Sequence, residues 1–349
     1  MKNYLTYLIK TKWLQSLIIA FLPTLIFVML VFSSIDQYIP NSPQSIPYYS
    51  VPIIFFFPIV FIMIIVPIVS VFRLYIFRNS KDVDLYYSLP ISRKNLLSSQ
   101  LIFGFLQLIF IWTIMYLSGL FIFTVLTSGD YHTLYLFLVY LIVILYIAIL
   151  YSISTFLFLR GNTVVDGIAF MIIFNTAFVF LSTFFTNFVI RGIVRAEAFM
   201  FNPYYSVGRV SNYFFHFAKP YQVNPPYGYD TNTLIAIIIN TVVFSIIAIS
   251  SLLLNHQFIL KEKTEQIGRL STSKFGYVTL IPMNLFFAIA SLYFNMANTT
   301  TMLAISFLTV AGFIGFFIMR RSAKLKWMDI LLVVVPIILG ILLMVIIKS

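Results

Sequence analysis

Along the chain, long apolar runs alternate with short polar, mostly basic segments. Each run of eighteen or more apolar residues can cross a hydrocarbon core about 30 Å thick as a helix. Apolar length and the placing of breakers predict nine spans, near 13–32, 51–72, 101–126, 134–159, 167–190, 233–254, 277–294, 302–319 and 328–347. A transmembrane β-barrel would need segments of roughly ten residues alternating in polarity, whereas these runs are apolar on every face. The expected fold is all-α: a polytopic transmembrane helical protein of about nine spans.

Composition sharpens this. Of 349 residues, 61% are hydrophobic and only 9% charged, against a usual charged fraction of about 25%, which excludes a soluble globular chain. The net charge of +12 would suggest a nucleic-acid partner if the basic residues formed a water-exposed patch. They gather instead at the ends of the apolar runs, so the expected partner is the lipid bilayer and no nucleic acid. With no cysteine, disulfides, thiolate metal sites and cysteine nucleophiles are excluded.

Orientation follows from the basic residues. With the N-terminus inside, the inner segments carry seventeen: Lys2, Lys10 and Lys12; Arg73, Arg78, Lys81, Arg93 and Lys94; Arg160; Lys261, Lys263, Arg269 and Lys274; Arg320, Arg321, Lys324 and Lys326. The outer segments hold five, Arg191, Arg195, Arg209, Lys219 and Lys348. The prediction is N-terminus inside and C-terminus outside. The first run is too long for a signal-peptide core and no small-x-small site follows it, so it reads as a retained span. Ahead of it, Met1, Tyr4, Leu5, Leu8, Ile9 and Trp13 fall on one helical face and Lys2, Asn3, Thr6 and Lys10 on the other. Residues 1–12 are expected to form an amphipathic helix lying in the headgroup layer.

Ionisable residues at bilayer depth mark proton relays, ion sites and substrate counter-charges. The spans read as essentially free of them; Gln107, Asn175, Asn240 and Asn284 are the polar residues within, while Asp166, Asp329 and His256 sit at helix ends. The expected energy source therefore lies outside these helices. No metal site is indicated, because His132, His216 and His256 are scattered without ligand spacing. No catalytic residues are assigned: acid-base chemistry needs paired carboxylates or a histidine with an orienting acid, and Asp130 and His132 belong to an ordinary turn begun by Thr127-Ser128-Gly129. No Gly-Lys-Ser/Thr cradle for nucleotide phosphates is present.

Three cytoplasmic segments stand out. The stretch 73–97 carries mixed charges around an apolar core of Leu85, Tyr86, Tyr87, Leu89 and Ile91, and Ser92 is placed to cap a helix running into the third span. Exposed Leu and Tyr on such an element call for a protein surface to bury against. Its part Ser88-Leu89-Pro90-Ile91-Ser92-Arg93-Lys94-Asn95-Leu96 resembles the LPISR-K/R-x-L segment of bacterial ABC exporter permeases of the type 2 class. Lys261-Glu262-Lys263-Thr264-Glu265-Gln266-Ile267-Gly268-Arg269 is similar to the R/K-x-x-E-x-x-G segment of a nine-span Gram-positive subgroup. Met319-Arg320-Arg321-Ser322-Ala323-Lys324-Leu325-Lys326 resembles that subgroup's RRS-x-x-K loop. Relatives often carry an acidic residue shortly before this last loop, where this chain has Phe316-Phe317.

The resemblance implies a subunit in a bacterial cell membrane, without its own ATPase site or cofactor. Two membrane subunits, identical or paired with a paralogue, would be driven by separate cytoplasmic ABC ATPase subunits that bind ATP and Mg. Coupling to the ATPase would fall to Asp84, Leu85, Tyr86, Leu89, Pro90 and Arg93; Lys261, Glu265, Gly268 and Arg269 would form a second cytoplasmic contact. An external gate would lie in the aromatic-rich loop 191–232, at Phe201, Pro203, Tyr204 and Tyr205. The implied division is a six-span core over 13–258, a cytoplasmic loop over 259–276 and an accessory three-span unit over 277–349. An apolar, aromatic pathway without fixed charge suits hydrophobic or amphipathic cargo such as peptides, lipids or antibiotics. Export of antimicrobial or cytolytic peptides, with resistance to them, fits best among the relatives. The rival reading is an integral membrane enzyme or scaffold of cell-envelope synthesis, against which the missing acid-base constellation counts most. Pro52, Pro58 and Pro67 in the second span would bend the helix leading to the coupling segment.

Overall fold

The computed structural model describes residues 2–35, 50–79, 88, 90–126, 132–189, 202–218, 231–261, 267–269, 271, 273, 275–292, 298–320, 322 and 324–348. These form ten α-helices and no strand: α1 (Lys2–Ile35), α2 (Ser50–Leu74), α3 (Arg93–Leu126), α4 (Thr133–Arg160), α5 (Val164–Val189), α6 (Pro203–Phe217), α7 (Thr231–Lys261), α8 (Tyr277–Leu292), α9 (Asn298–Arg320) and α10 (Trp327–Lys348). A single 3-10 turn, Tyr75–Phe77, continues α2. Helices α1 to α5 and α7 are long and apolar enough to cross a membrane; α8, α9 and α10 contain shorter apolar stretches of 10–17 residues. This is the make-up of a multi-pass membrane protein, since only helices satisfy every backbone group within a single segment in lipid.

Two expectations change. Residues 2–35 form one uninterrupted helix, so no separate element ends at residue 12. In its first turns Leu8 is buried, but Ile9 and Trp13 are exposed. Helix α2 likewise runs through Pro58 and Pro67 to Leu74, which takes Arg73 out of the loop and into the helix.

The contacts divide the chain into two compact units: 1–73, 90–154 and 203–260 make the first, and 74–89, 155–202 and 261–349 the second. The second unit groups α5 with the last three helices.

In the first unit, α1 packs on α3 through a narrow stripe, Leu8, Ser16, Ala20, Thr24 and Phe27. Small residues let the backbones approach, and the Ser16 and Thr24 hydroxyls donate to Lys12 O and Ala20 O one turn back at 3.1 and 2.7 Å. Gln100 Nε2 donates to Tyr4 Oη at 3.0 Å. Helices α3 and α4 are joined by an aromatic cluster. Trp112 lies 5.6 Å from Tyr116 and 6.4 Å from Tyr140, ring to ring, and Tyr116 Oη donates to Leu136 O at 2.7 Å.

In the second unit α8 is the hub, packing on α5, α9 and α10. Asn284 Nδ2 donates to Ile173 O and Thr176 Oγ1 on α5 at 3.2 and 2.7 Å. On α10 the buried positions Asp329, Val333, Pro336 and Gly340 follow helical spacing. A methyl group at Gly312 or Gly340 would come within 2.8 Å of Leu285 or 2.9 Å of Ile289 on α8, so these glycines set how closely the helices meet.

Candidate functional site

The C-terminal end of α4 is where Arg78 and the segment around residues 268–275 gather in the second unit. A helix end leaves its last carbonyls unpaired and carries partial negative charge. Arg78, just after the 3-10 turn and 2% exposed, answers both needs by donating from Nη2 to Leu159 O. Its Nη1 donates to Phe77 O at 3.3 Å. Ser271 Oγ donates to Arg160 O at 3.2 Å, and the Arg160 guanidinium lies 5.4 Å from the centre of the Phe156 ring. Phe156 in turn meets Phe275 edge-on at 5.7 Å.

The turn that follows α4 is held from the other side. Gly268 N donates to Asn162 O at 2.9 Å, and Gly268 sits at φ 87°, a left-handed conformation open to glycine and costly to residues with a Cβ. Thr163 then caps α5, its Oγ1 accepting from Asp166 N at 3.1 Å. Asp166 is 7% exposed and its Oδ1 accepts from Tyr277 Oη at 3.0 Å; the Tyr277 ring stands edge-on to Phe170 at 4.7 Å. So Arg78 from one connecting segment and Gly268, Ser271 and Phe275 from another fix one helix end and one turn.

The third segment closes the α9–α10 connection. Arg320 Nε and Nη2 donate to Asp329 Oδ2 and Oδ1 at 2.5 and 2.6 Å, and Lys326 N donates to Asp329 Oδ2 at 3.0 Å. The hydrogen bonds to Asp329 raise the Arg320 pKa above its ordinary value.

Of the coupling residues, Asp84, Leu85, Tyr86 and Leu89 lie outside the described residues, as do Glu265 in the second segment and Phe201 in the external loop. Pro90 is exposed and Arg93 half-buried in the first unit. Ser92 caps α3 as its position suggests, its Oγ accepting from Asn95 N at 3.4 Å. Lys261 ends α7 and is exposed, like Arg269.

The chain matches no family model, no curated protein and no solved structure.

At the outer loop, Pro203, Tyr204 and Tyr205 open helix α6. Pro203, Ser206, Val207, Ser211 and Phe215 are buried at helical spacing, which lays α6 against the start of α4. There His132 N donates to Ala218 O at 3.0 Å and Tyr135 faces Phe214 and Phe217 at 6.4 and 5.9 Å. Burial pushes the Tyr204 hydroxyl up to about 12. Tyr205 Oη accepts from Arg209 Nε at 2.5 Å. His132 thus contributes its main-chain N–H to this helix contact.

Arg73 is the residue that sequence reasoning missed. It is 6% exposed, inside the apolar stretch Phe57–Phe77, and its Nε and Nη2 donate to Gln107 Oε1 at 2.8 and 2.5 Å. The guanidinium lies 4.3 Å from the centre of the Phe103 ring. Arg73 stands in the last turn of α2, a buried cation at the end of the helix. The polar Gln107 within an apolar run was the signal for it. Among the described residues no group of three or more His, Cys, Asp or Glu could hold a metal ion.

Proposed function

We propose that the chain is the membrane-spanning permease subunit of an ATP-driven ABC exporter, inserted nine times with its N-terminus inside. It works with separate cytoplasmic ATPase subunits and moves hydrophobic or amphipathic cargo out of a bacterial cell. The observation that carries the reading is the convergence at the end of α4. Two segments 190 residues apart, one leading into the 88–96 motif and the other similar to a cytoplasmic element of such permeases, supply Arg78 and Gly268 to one helix end and its following turn. A force applied to either segment from the cytoplasm would reach α4 and α5 through these bonds. The absence of a Gly-Lys-Ser/Thr cradle from the sequence supports a separate source of ATP hydrolysis.

The test is reconstitution of the purified chain alone in proteoliposomes. The expected result is neither ATP hydrolysis nor movement of a hydrophobic peptide under an imposed proton gradient. Gradient-driven movement of the peptide by the chain alone would overturn the reading.

A further inference from the structure

Helices α1 and α2, both of the first unit, leave an open groove of about 560 Å³ where the start of one meets the end of the other. Its walls include Lys12, Leu14, Gln15, Ile18 and Ile19 of α1 and Phe72 of α2.

The chemistry of the groove changes in step with α1. Lys12 begins it beside Thr11, Gln15 follows one turn on, and Ile18 and Ile19 stand on the turn after that. From Lys12 to Ile19 is about 10 Å of helix axis. The headgroup layer on each side of a bilayer is about 5–8 Å thick, so a groove that begins among headgroups ends in hydrocarbon. Trp13, exposed beside Lys12, is the residue type that settles at that boundary. Leu14, Ile18 and Phe72 are exposed as well, and such residues on membrane-spanning helices meet acyl chains.

The polar end of the groove lacks a partner. Thr11 Oγ1 is engaged within the helix, donating to Tyr7 O at 2.8 Å. Lys12 and Gln15 are exposed, and neither side chain makes a hydrogen bond or ion pair among the described residues. No counter-charge stands on the surrounding helices, because α1, α2 and α3 contain no Asp or Glu. Arg73, next to Phe72, is a further cation and is turned to Gln107. A lysine at headgroup level attracts lipids of net negative charge, whereas a zwitterionic headgroup brings its own cation to compete with Lys12. Cation, amide and aliphatic slot match, in order, the phosphate, ester carbonyl and acyl chain of such a lipid.

We propose that this groove holds an anionic phospholipid, its phosphate at Lys12 Nζ, its ester carbonyl accepting from Gln15 Nε2 and one acyl chain against Ile18, Ile19 and Phe72. The site needs only the bilayer and stands whether or not the chain works with an ATPase.

The experiment places the full chain in phosphatidylcholine nanodiscs containing a minor fraction of phosphatidylglycerol with a photoactivatable diazirine in one acyl chain; mass spectrometry locates the labelled residues. Label is expected to concentrate on Leu14, Ile18, Ile19 and Phe72. Lys12→Glu, which reverses the charge at the phosphate, should lower it about tenfold. Ile18→Trp, which fills the groove from an exposed position, should lower it by about as much. Lys10→Glu, exposed on α1 but outside the groove, should change it by less than about twofold, because a charge in solvent is screened. Equal labelling by phosphatidylcholine carrying the same diazirine chain would overturn the proposal, as would indifference to Lys12→Glu or to Ile18→Trp. So would a loss with Lys10→Glu as large as with Lys12→Glu, or a second copy of the chain cross-linked in the groove in place of lipid.

Discussion

The Arg320–Asp329 pair offers the clearest energetic test of how the last two helices are joined. Asp329 accepts two guanidinium N–H groups and the Lys326 backbone N–H. Its side chain is 2% exposed and that of Arg320 21%. Exposed ion pairs are worth about 0–1 kcal/mol, whereas breaking a buried one costs about 3–5 kcal/mol. With one partner buried and the other open on one side, the expected coupling is about 2 kcal/mol.

The direction differs between the two single variants. Arg320→Gln strands a carboxylate that cannot reach water, so it should cost about 3 kcal/mol. Asp329→Asn leaves the guanidinium free to turn outward and should cost nearer 1.5 kcal/mol, the strength of a charged hydrogen bond. The double variant should recover most of the coupling. Equilibrium unfolding of all four proteins in a bilayer mimetic, by steric trapping, completes the cycle. A coupling energy under about 0.5 kcal/mol, the scatter expected of independent sites, would refute the reasoning, as would Arg320→Gln being the milder change.

At φ 87° a Val at position 268 meets a left-handed penalty of about 1–2 kcal/mol, so Gly268→Val should speed amide exchange around 268 and 271 roughly tenfold without changing exchange in α1. Asn284→Leu removes two bonds to α5 and should cost about 0.6 kcal/mol, and at most about 1.7, the range of hydrogen bonds between membrane helices, read by the same unfolding method. A single cysteine at Asn298 should react with an impermeant maleimide in intact cells, and one at Thr264 only after permeabilisation; reversed labelling would overturn the orientation drawn from the basic residues.

Six helices long enough to cross a membrane were legible because length and apolarity alone decide them, and the Ser92 cap because a short hydroxyl before a helix has one common use. Which helix meets which was not. Where every face is apolar, periodicity does not tell a lipid-facing side from a packed one. That is why span five could be read as part of a six-span core although Asn284 and Tyr277 tie it to α8. The same weakness hid the two buried arginines. Basic residues at a span end read as inside loops, yet Arg73 finds Gln107 across α3 and Arg78 finds the carbonyl end of α4, partners 34 and 81 residues away. The coupling residues Asp84, Leu85, Tyr86 and Leu89 lie outside the described residues, so their reading rests on sequence.

The central claim, an exporter subunit driven by a separate ATPase, is tested most directly by co-purification with ABC ATPase subunits from the cell that makes it. Leu89→Glu places a carboxylate in the apolar patch that would dock on that ATPase, where a buried unpaired charge costs several kcal/mol. The account predicts that the wild-type chain carries the ATPase through purification and that Leu89→Glu, inserted in the membrane at the wild-type level, loses it, while Tyr204→Glu in the outer helix retains it. A Leu89→Glu protein that still holds the ATPase and still exports would contradict the account.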